Sequence, residues 1–273
     1  MSDFTAFGDM ERNGWSETET ASAYANGFAS ATAMCVPAMV AAVSAGTGYK
    51  ALDLCCGHGI VAKGLHDAGA QVTGLDFSPA MLDLARTSYP EIEFIAGDAT
   101  DTSYDDNSFD AVTMGFGILH IPDAAKALKE VKRILKPGGK FAYSVWHGPE
   151  QSAAFRIVFS AIGAHGDTSI ALPPGPAIHD FADKEFATAA LSEAGFTSPY
   201  FDTVNSHWMV EDAGTPVDFF MEGTVRGAAL LRAQPKEKRA AIRNAVTAQV
   251  EDELGPTGPW KVGIPAAIVS AVA

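Results

Sequence analysis

Between residues 50 and 146, short apolar runs alternate with amphipathic stretches of helical length. Lys50-Ala51-Leu52-Asp53-Leu54 is a run of strand length that ends in a glycine loop, the pattern of a strand buried on both faces. Residues 59–68 predict a helix, with Gly69 placed to end it. Gln71 to Leu75 predicts a second strand, stopping at Asp76. Ser78-Pro79 opens the next helix, which runs to Ser88. Ser78 can cap free N–H groups, and Pro79 sits where its missing N–H costs nothing. Ile92 to Ile95 and Phe109 to Met114 read as strands three and four. Asp123 caps a helix with Leu128, Val131 and Leu135 on one face. Lys136-Pro137-Gly138-Gly139 ends that helix, and Lys140 to Trp146 forms strand five. Such alternation implies a parallel sheet with helices on both faces, because parallel neighbours need crossover connections.

The flanks are less regular. Residues 16–45, rich in Ala, Met and Val, predict one or two helices ahead of the sheet. Residues 151–182 begin helically and enter a loop at Leu172-Pro173-Pro174-Gly175-Pro176. A helix over 183–194 ends at Gly195, Phe201 to Val210 reads as a strand, 215–254 as helical, and Ile264 to Ala273 as a last strand. The expected organisation is one structural domain: a helical cover over 1–45, a ligand-binding core over 46–150, and a cap with closing strands over 151–273.

Composition narrows the function classes. The 273 residues are 47% hydrophobic and 19% charged, enough to bury a core. Nineteen Lys and Arg stand against 33 Asp and Glu, a formal charge of -14. A surface that negative repels phosphate backbones and anionic lipid, so neither nucleic acid nor membrane is an expected partner. Three cysteines, two of them adjacent, make no disulfide framework and fit a reducing cytoplasm. Met1 to Gly14 is acidic and lacks the layout of a signal peptide. The apolar stretch Ala33 to Gly46 is broken by Pro37 and is shorter than a bilayer of about 30 Å requires.

Ligands of open parallel sheets bind beyond the carboxyl ends of the strands, where strand order reverses. Three consecutive strands here end in acidic or glycine-rich loops: Asp53 to Gly59, Asp76, and Gly97-Asp98-Ala99. Gly57 and Gly59 let the backbone turn tightly and approach a ligand, and the following helix aims free N–H groups at it. Asp76, 19 residues beyond Gly57, is placed to accept from ribose hydroxyls, and Asp98 to accept from an adenine amino group. Gly57 to Ala62 also satisfies the G-x-G-x-x-A dinucleotide pattern, so a nicotinamide-dependent oxidoreductase is the competing reading. A pyrophosphate beside Asp53 would meet a carboxylate. S-adenosylmethionine, with its sulfonium, ammonium, ribose and adenine, matches the three acidic positions. The bland alternative for Asp53 is a cap on the turn that follows, and for Asp98 a simple turn residue. Cys55 and Cys56 lack further Cys/His spacing and read as small buried residues, not metal ligands.

The ordered set Ala51-Leu-Asp-Leu-Cys-Cys-Gly-His-Gly59, Val72 to Leu82, Phe94 to Ala99, Phe109 to Met114 and Leu135 to Lys140 resembles the class I S-adenosylmethionine-dependent methyltransferases. Within them it is similar to the small-molecule enzymes of ubiquinone and menaquinone biosynthesis. The resemblance implies a Rossmann-like, doubly wound α/β sheet, mostly parallel with a final antiparallel strand. It further implies that Gly57 lines the methionine end of the cofactor, Asp76 binds ribose, and Asp98 with Ala99 holds adenine. Phe77 and Met81 would pack on the adenosine, and Met114, Gly115 and Phe116 would close the pocket near the sulfonium. The family usually has glycine where Cys55 stands, so the turn carries a side chain there or the cofactor sits differently.

Methyl transfer needs in-line placement of the acceptor and, for a protonated nucleophile, a base. His120 and His147 follow strands four and five and are the candidates; His165 and His179 in the cap could also reach substrate. Tyr24 and Trp15 could cover the cofactor. The cap aromatics and methionines (Phe181, Phe186, Trp208, Met209, Phe219, Phe220, Met221) read mainly as core, with a few lining an apolar substrate pocket. The expected function is methylation of a small, partly apolar metabolite. The alternatives are the oxidoreductase and a non-methylating cofactor-binding relative.

Overall fold

Hydrogen-bonded strands gather into a seven-stranded sheet and a separate two-stranded ribbon in the computed structural model, which describes residues 4–273. The first three residues of the expected N-terminal cover and of its acidic start lie outside the described residues. Four helices precede the sheet: α1 (Thr5–Ser16), α2 (Thr18–Gly27), α3 (Ala29–Ala33) and α4 (Val36–Val43). The alternating core follows as β1 (Lys50–Leu54), α5 (Ile60–Asp67), β2 (Gln71–Asp76), α6 (Pro79–Ser88), β3 (Glu93–Ala96), β4 (Phe109–Gly115), α7 (Ala124–Ile134) and β5 (Leu135–Trp146). The remainder is α8 (Ala153–His165), α9 (Lys184–Glu193), β6 (Thr197–Val204), β7 (His207–Val210), α10 (Thr215–Gly223), α11 (Val225–Arg232), α12 (Lys236–Leu254), β8 (Trp260–Gly263) and β9 (Ala266–Val272).

Strand order in the large sheet is β3-β2-β1-β4-β5-β9-β6. The pairs among β1 to β5 are parallel, and β9 runs antiparallel to both β5 and β6. This is the doubly wound, mostly parallel sheet with a final antiparallel strand that the sequence implied. Order reverses between β1 and β4, which opens the ligand crevice there. Alternation along the strands sends side chains to opposite faces. Ala51, Ala111 and Ala142 pack with Met39, Val43, Val61 and Leu65 on one face. Leu52, Val112 and Phe141 pack with Leu128, Val131 and Leu191 on the other.

Several boundaries differ from expectation, each for a local reason. Leu135 is not the last apolar residue of a helix but the first of β5, extended and paired with Phe109. The bias of a pre-proline residue toward extended backbone at Lys136 favours that switch. Residues 201–210 are two strands. Ser206 O accepts the Ile264 N–H at 2.9 Å and its hydroxyl donates to Ile264 O at 2.6 Å, so the chain turns there and β7 leaves the sheet to pair with β8. The 215–254 stretch is three helices, interrupted where Thr224 caps Gly227 N–H and where Pro235 precedes α12. The 16–45 stretch forms three helices, not one or two, and a fourth stands ahead of them. The helix missed was α1, whose buried Phe7, Glu11 and Trp15 recur at a spacing of four.

Tyr143 is fully buried, and its hydroxyl donates to Phe181 O at 3.0 Å, tying β5 to the segment ahead of α9. Tyr143→Phe leaves that carbonyl without the bond. Chemical denaturation is expected to show a loss of about 1–3 kcal/mol, with the same denaturant slope as the wild type.

Candidate active site

A cleft of about 630 Å³ opens at the carboxyl tips of β1 to β4. The β1 tip contributes Cys55 and Gly57, the β2 tip Asp76 and Phe77, and α6 contributes Met81. Asp98 and Ala99 follow β3, while Gly115 and Phe116 close β4. Across the opening stand Trp15 and Tyr24 from the N-terminal helices, their rings 5.3 Å apart and nearly perpendicular.

Asp76 is 7% exposed. One oxygen accepts Gly57 N–H at 2.9 Å and the other Ser78 N–H at 2.8 Å. Burial raises its pKa, against the pull of those two amides. An ionised carboxyl oxygen accepts more than one bond, so each retains acceptor capacity. Gly57 lies at φ 52°, and a Cβ built on it would meet only Met81 Sδ at 3.9 Å, so the loop leaves open space. Asp98 accepts the Thr100 amide and hydroxyl, both at 2.8 Å, and pairs with Arg12 at 3.2 Å. Burial pushes its pKa up, but these partners outweigh it and hold it below the usual carboxylate range. The Arg12 guanidinium also lies 5.1 Å from the Phe77 ring centre.

The turn at Cys55 carries its side chain in the left-handed region, φ 55°, at a strain of about 1–2 kcal/mol. Gly117 makes the room: a Cβ there would fall 2.5 Å from Cys55 Cβ. Phe116 is also left-handed, φ 56°, and stacks on Trp146 with ring centres 4.0 Å apart.

Four expected site residues lie elsewhere. Asp53 is 1% exposed and does not line the cleft; it accepts Ala62 N–H at 2.9 Å and the Thr113 hydroxyl at 2.8 Å, capping α5 from below. Gly59 is the left-handed residue before α5, pressed against Phe94 and Tyr89 rather than facing the opening. Met114 is fully buried among the sheet's core side chains. His147 is 7% exposed, shares a hydrogen bond of 3.1 Å with the Thr203 hydroxyl, and borders neither chamber. Burial, then nearby His179, lowers its pKa. His165 and His179 are likewise absent from the lining of both chambers.

His120 does line the cleft, and it also lines a second chamber of about 200 Å³. That chamber is aromatic: Phe28, Phe116, Trp146, Phe155 and Phe220 face it. Glu11, Trp15, Tyr24, Phe116 and His120 border both spaces, so the two chambers adjoin. Of the cap residues weighed as substrate-lining, Phe220 reaches this chamber. Sequence reasoning missed Glu11 and Arg12; the four-residue repeat in α1 was the available signal.

Comparison with known proteins accords with this architecture. Residues 52–143 match the family described as methyltransferase domain. By that match, the segment is a methyltransferase domain. A demethylmenaquinone methyltransferase of Renibacterium salmoninarum is 43% identical over 122 residues, 45% of this chain and 51% of that protein. Its counterpart in Paenarthrobacter aurescens is 33% identical over 170 residues, 58% of this chain and 66% of that protein. The chain thus spans about half to two thirds of the length of these curated relatives. The structure of Haemonchus contortus phosphoethanolamine N-methyltransferase 2 with phosphomonomethylethanolamine and S-adenosylhomocysteine shares the fold. Its TM-score is 0.58 at 18% identity, over 98% of this chain and 60% of that one. In the methyltransferase domain, the cleft sits where its strand order reverses.

Burial raises the Asp53 pKa to about 7, against the Thr113 and Ala62 bonds. The folded state therefore holds this proton more tightly than the unfolded chain, whose Asp titrates near 3.9. The resulting stabilisation is complete below the unfolded value and is lost as pH rises through about 7. Asn at this position can accept from Ala62 N–H and donate to Thr113. The melting temperature of Asp53→Asn is expected to fall less than that of the wild type between pH 5 and pH 8; an equal fall refutes the assignment.

Proposed function

We propose that the chain is an S-adenosylmethionine-dependent methyltransferase acting on a small, partly apolar acceptor. The observation that carries this reading is the Asp76 carboxylate, buried at the β2 tip yet facing the cleft, with acceptor capacity left for a diol. Asp76 would hold the ribose hydroxyls, Phe77 and Met81 would pack on the adenosine, and Asp98 with Ala99 would take the adenine edge. The open loop at Gly57 would receive the methionine end, and Gly115 and Phe116 would border the sulfonium. When bound, the cofactor supplies a methyl carbon that its sulfonium already makes electrophilic.

The nicotinamide alternative loses support at α5. A pyrophosphate there relies on free N–H groups at the helix start, and Asp53 already takes the one at Ala62. Pyrophosphate would also enter a cleft lined by Asp76, Asp98, Glu11 and Asp123. The acceptor reading is supported by the aromatic chamber and by relatives named for methylating demethylmenaquinone, a quinone. His120 stands at the join of the two spaces, where an acceptor's reacting atom would meet the donor. A cytoplasmic location accords with three free cysteines. No single helix is long and apolar enough to cross a membrane among the described residues.

Calorimetry is expected to give a micromolar affinity for S-adenosylhomocysteine and no heat with NAD; the reverse result overturns the reading. Asp76→Ala should weaken S-adenosylhomocysteine by about 1–3 kcal/mol, the worth of a lost charged acceptor. Methyl-labelled cofactor incubated with 1,4-naphthoquinol, kept reduced by dithiothreitol, or with a metabolite extract should yield a labelled product. Binding without product from either source would favour the non-methylating relative.

A further inference from the structure

Glu11 is 2% exposed and sits where the two chambers meet. Its Oε2 accepts the Trp15 indole N–H at 2.9 Å and lies 2.8 Å from His120 Nδ1, 109 residues away in the chain. Its Oε1 is buried with no hydrogen-bond partner. An uncompensated carboxylate costs several kcal/mol to bury, so the fold gains nothing by keeping a charge here for packing alone. Neighbouring Arg12 does not neutralise it; that guanidinium pairs with Asp98. The Trp15 ring stands edge-on to the imidazole, centres 5.1 Å apart at 78°, and so fixes its plane as well.

We propose that Glu11 is the positioning residue of a proton-accepting pair: it holds His120 with its proton on Nδ1 and leaves Nε2 free to take a proton from the acceptor substrate. An ionised carboxylate only accepts, so the ring nitrogen facing Oε2 is the donor, and in a neutral imidazole the other nitrogen then carries the lone pair. The inference rests on the methyl-transfer reading and deepens it, because it defines the acceptor as a nucleophile that still carries a proton, such as a hydroxyl. As the acceptor oxygen's lone pair forms the new bond to carbon, the carbon–sulfur pair returns to sulfur and the hydroxyl proton passes to Nε2. The imidazolium so formed sits against the Glu11 carboxylate, which stabilises it. Asp76 from β2 interacts with His120 through charge, and Asp123 with Lys126 at the start of α7 line the same cleft. None of these is hydrogen-bonded to the ring among the described residues.

The test combines a spectroscopic and a kinetic measurement on the full chain. Nitrogen-15 spectra of labelled histidines, with His120 assigned by its absence in His120→Ala, should show Nδ1 protonated and Nε2 bare in the wild type. Glu11→Ala should release the ring into a mixture of tautomers. Glu11→Gln, isosteric and uncharged, should keep S-adenosylhomocysteine affinity. Its kcat on 1,4-naphthoquinol should fall at least about tenfold with the acceptor KM within about twofold, the signature of an interaction used in the transition state. His120→Ala should lose about 10²–10⁴-fold in turnover, the usual worth of a general base. A wild-type ring protonated on Nε2, a tautomer unmoved by Glu11→Ala, or an unchanged kcat in Glu11→Gln would each overturn the proposal. Failure of the wild type to bind S-adenosylhomocysteine or to methylate the quinol counts instead against the underlying reading. In that case the tautomer measurement, which needs neither ligand, decides the role of Glu11.

Discussion

The buried Asp53 carboxylate is the constraint on which the site's geometry depends. It joins three elements at once: it belongs to β1, accepts from Thr113 of β4, and accepts from Ala62 in the first turn of α5. Those are the two strands where sheet order reverses and the helix that packs behind them. With the start of α5 fastened beneath the sheet's tips, the loop between Leu54 and Ile60 has little freedom left. Gly57 N–H is then delivered to Asp76, and the second carboxylate is held at the edge of the opening. A deeply buried acid is costly, and here burial drives its pKa toward neutrality. The return is a rigid floor beneath the cleft, whose lining Asp53 does not join.

Strain accompanies that rigidity. Cys55 and Phe116 both adopt left-handed backbone without being glycine, at the ends of adjacent strands β1 and β4. Left-handed non-glycine residues persist only where their surroundings hold them, and they cluster at sites where atoms must be aimed. The Cys55 side chain is accommodated because Gly117 has none, and Phe116 is clamped by its stack on Trp146. The cost is set against the placement of the wall between the donor cleft and the aromatic chamber.

Much of this was legible in the chain, in proportion to how local the cause was. Strands β1, β2 and β4, the Ser78 and Asp123 caps, and the acidic tips follow from short-range pattern, and they stand within a residue or two of expectation. Asp53 shows the limit. Its position at a strand tip is visible in sequence, but which way its carboxylate points depends on the strand's alternation and on a partner 60 residues away. His147 lies away from both chambers for the same reason: its ring turns toward Thr203 on β6, which only the antiparallel β9 between them brings near. Glu11 was hidden differently. Its four-residue repeat with Phe7 and Trp15 is a local sign of burial, but nothing local pairs it with an imidazole from another part of the chain.

The walls of the two chambers come from different parts of the chain. The cleft is made mostly by strand tips within residues 52–143, the segment shared with the methyltransferase-domain family. The aromatic chamber draws Phe28 from the junction of α2 and α3, Phe155 and Phe159 from α8, Pro176 and Ile178 from the proline-rich loop, and Phe220 and Leu230 from α10 and α11. These lie outside the shared segment and add nothing to the pairing of the central strands. Replacing them would reshape the aromatic chamber without disturbing the sheet that carries the cleft, so one chassis can be refitted by exchanging its upholstery.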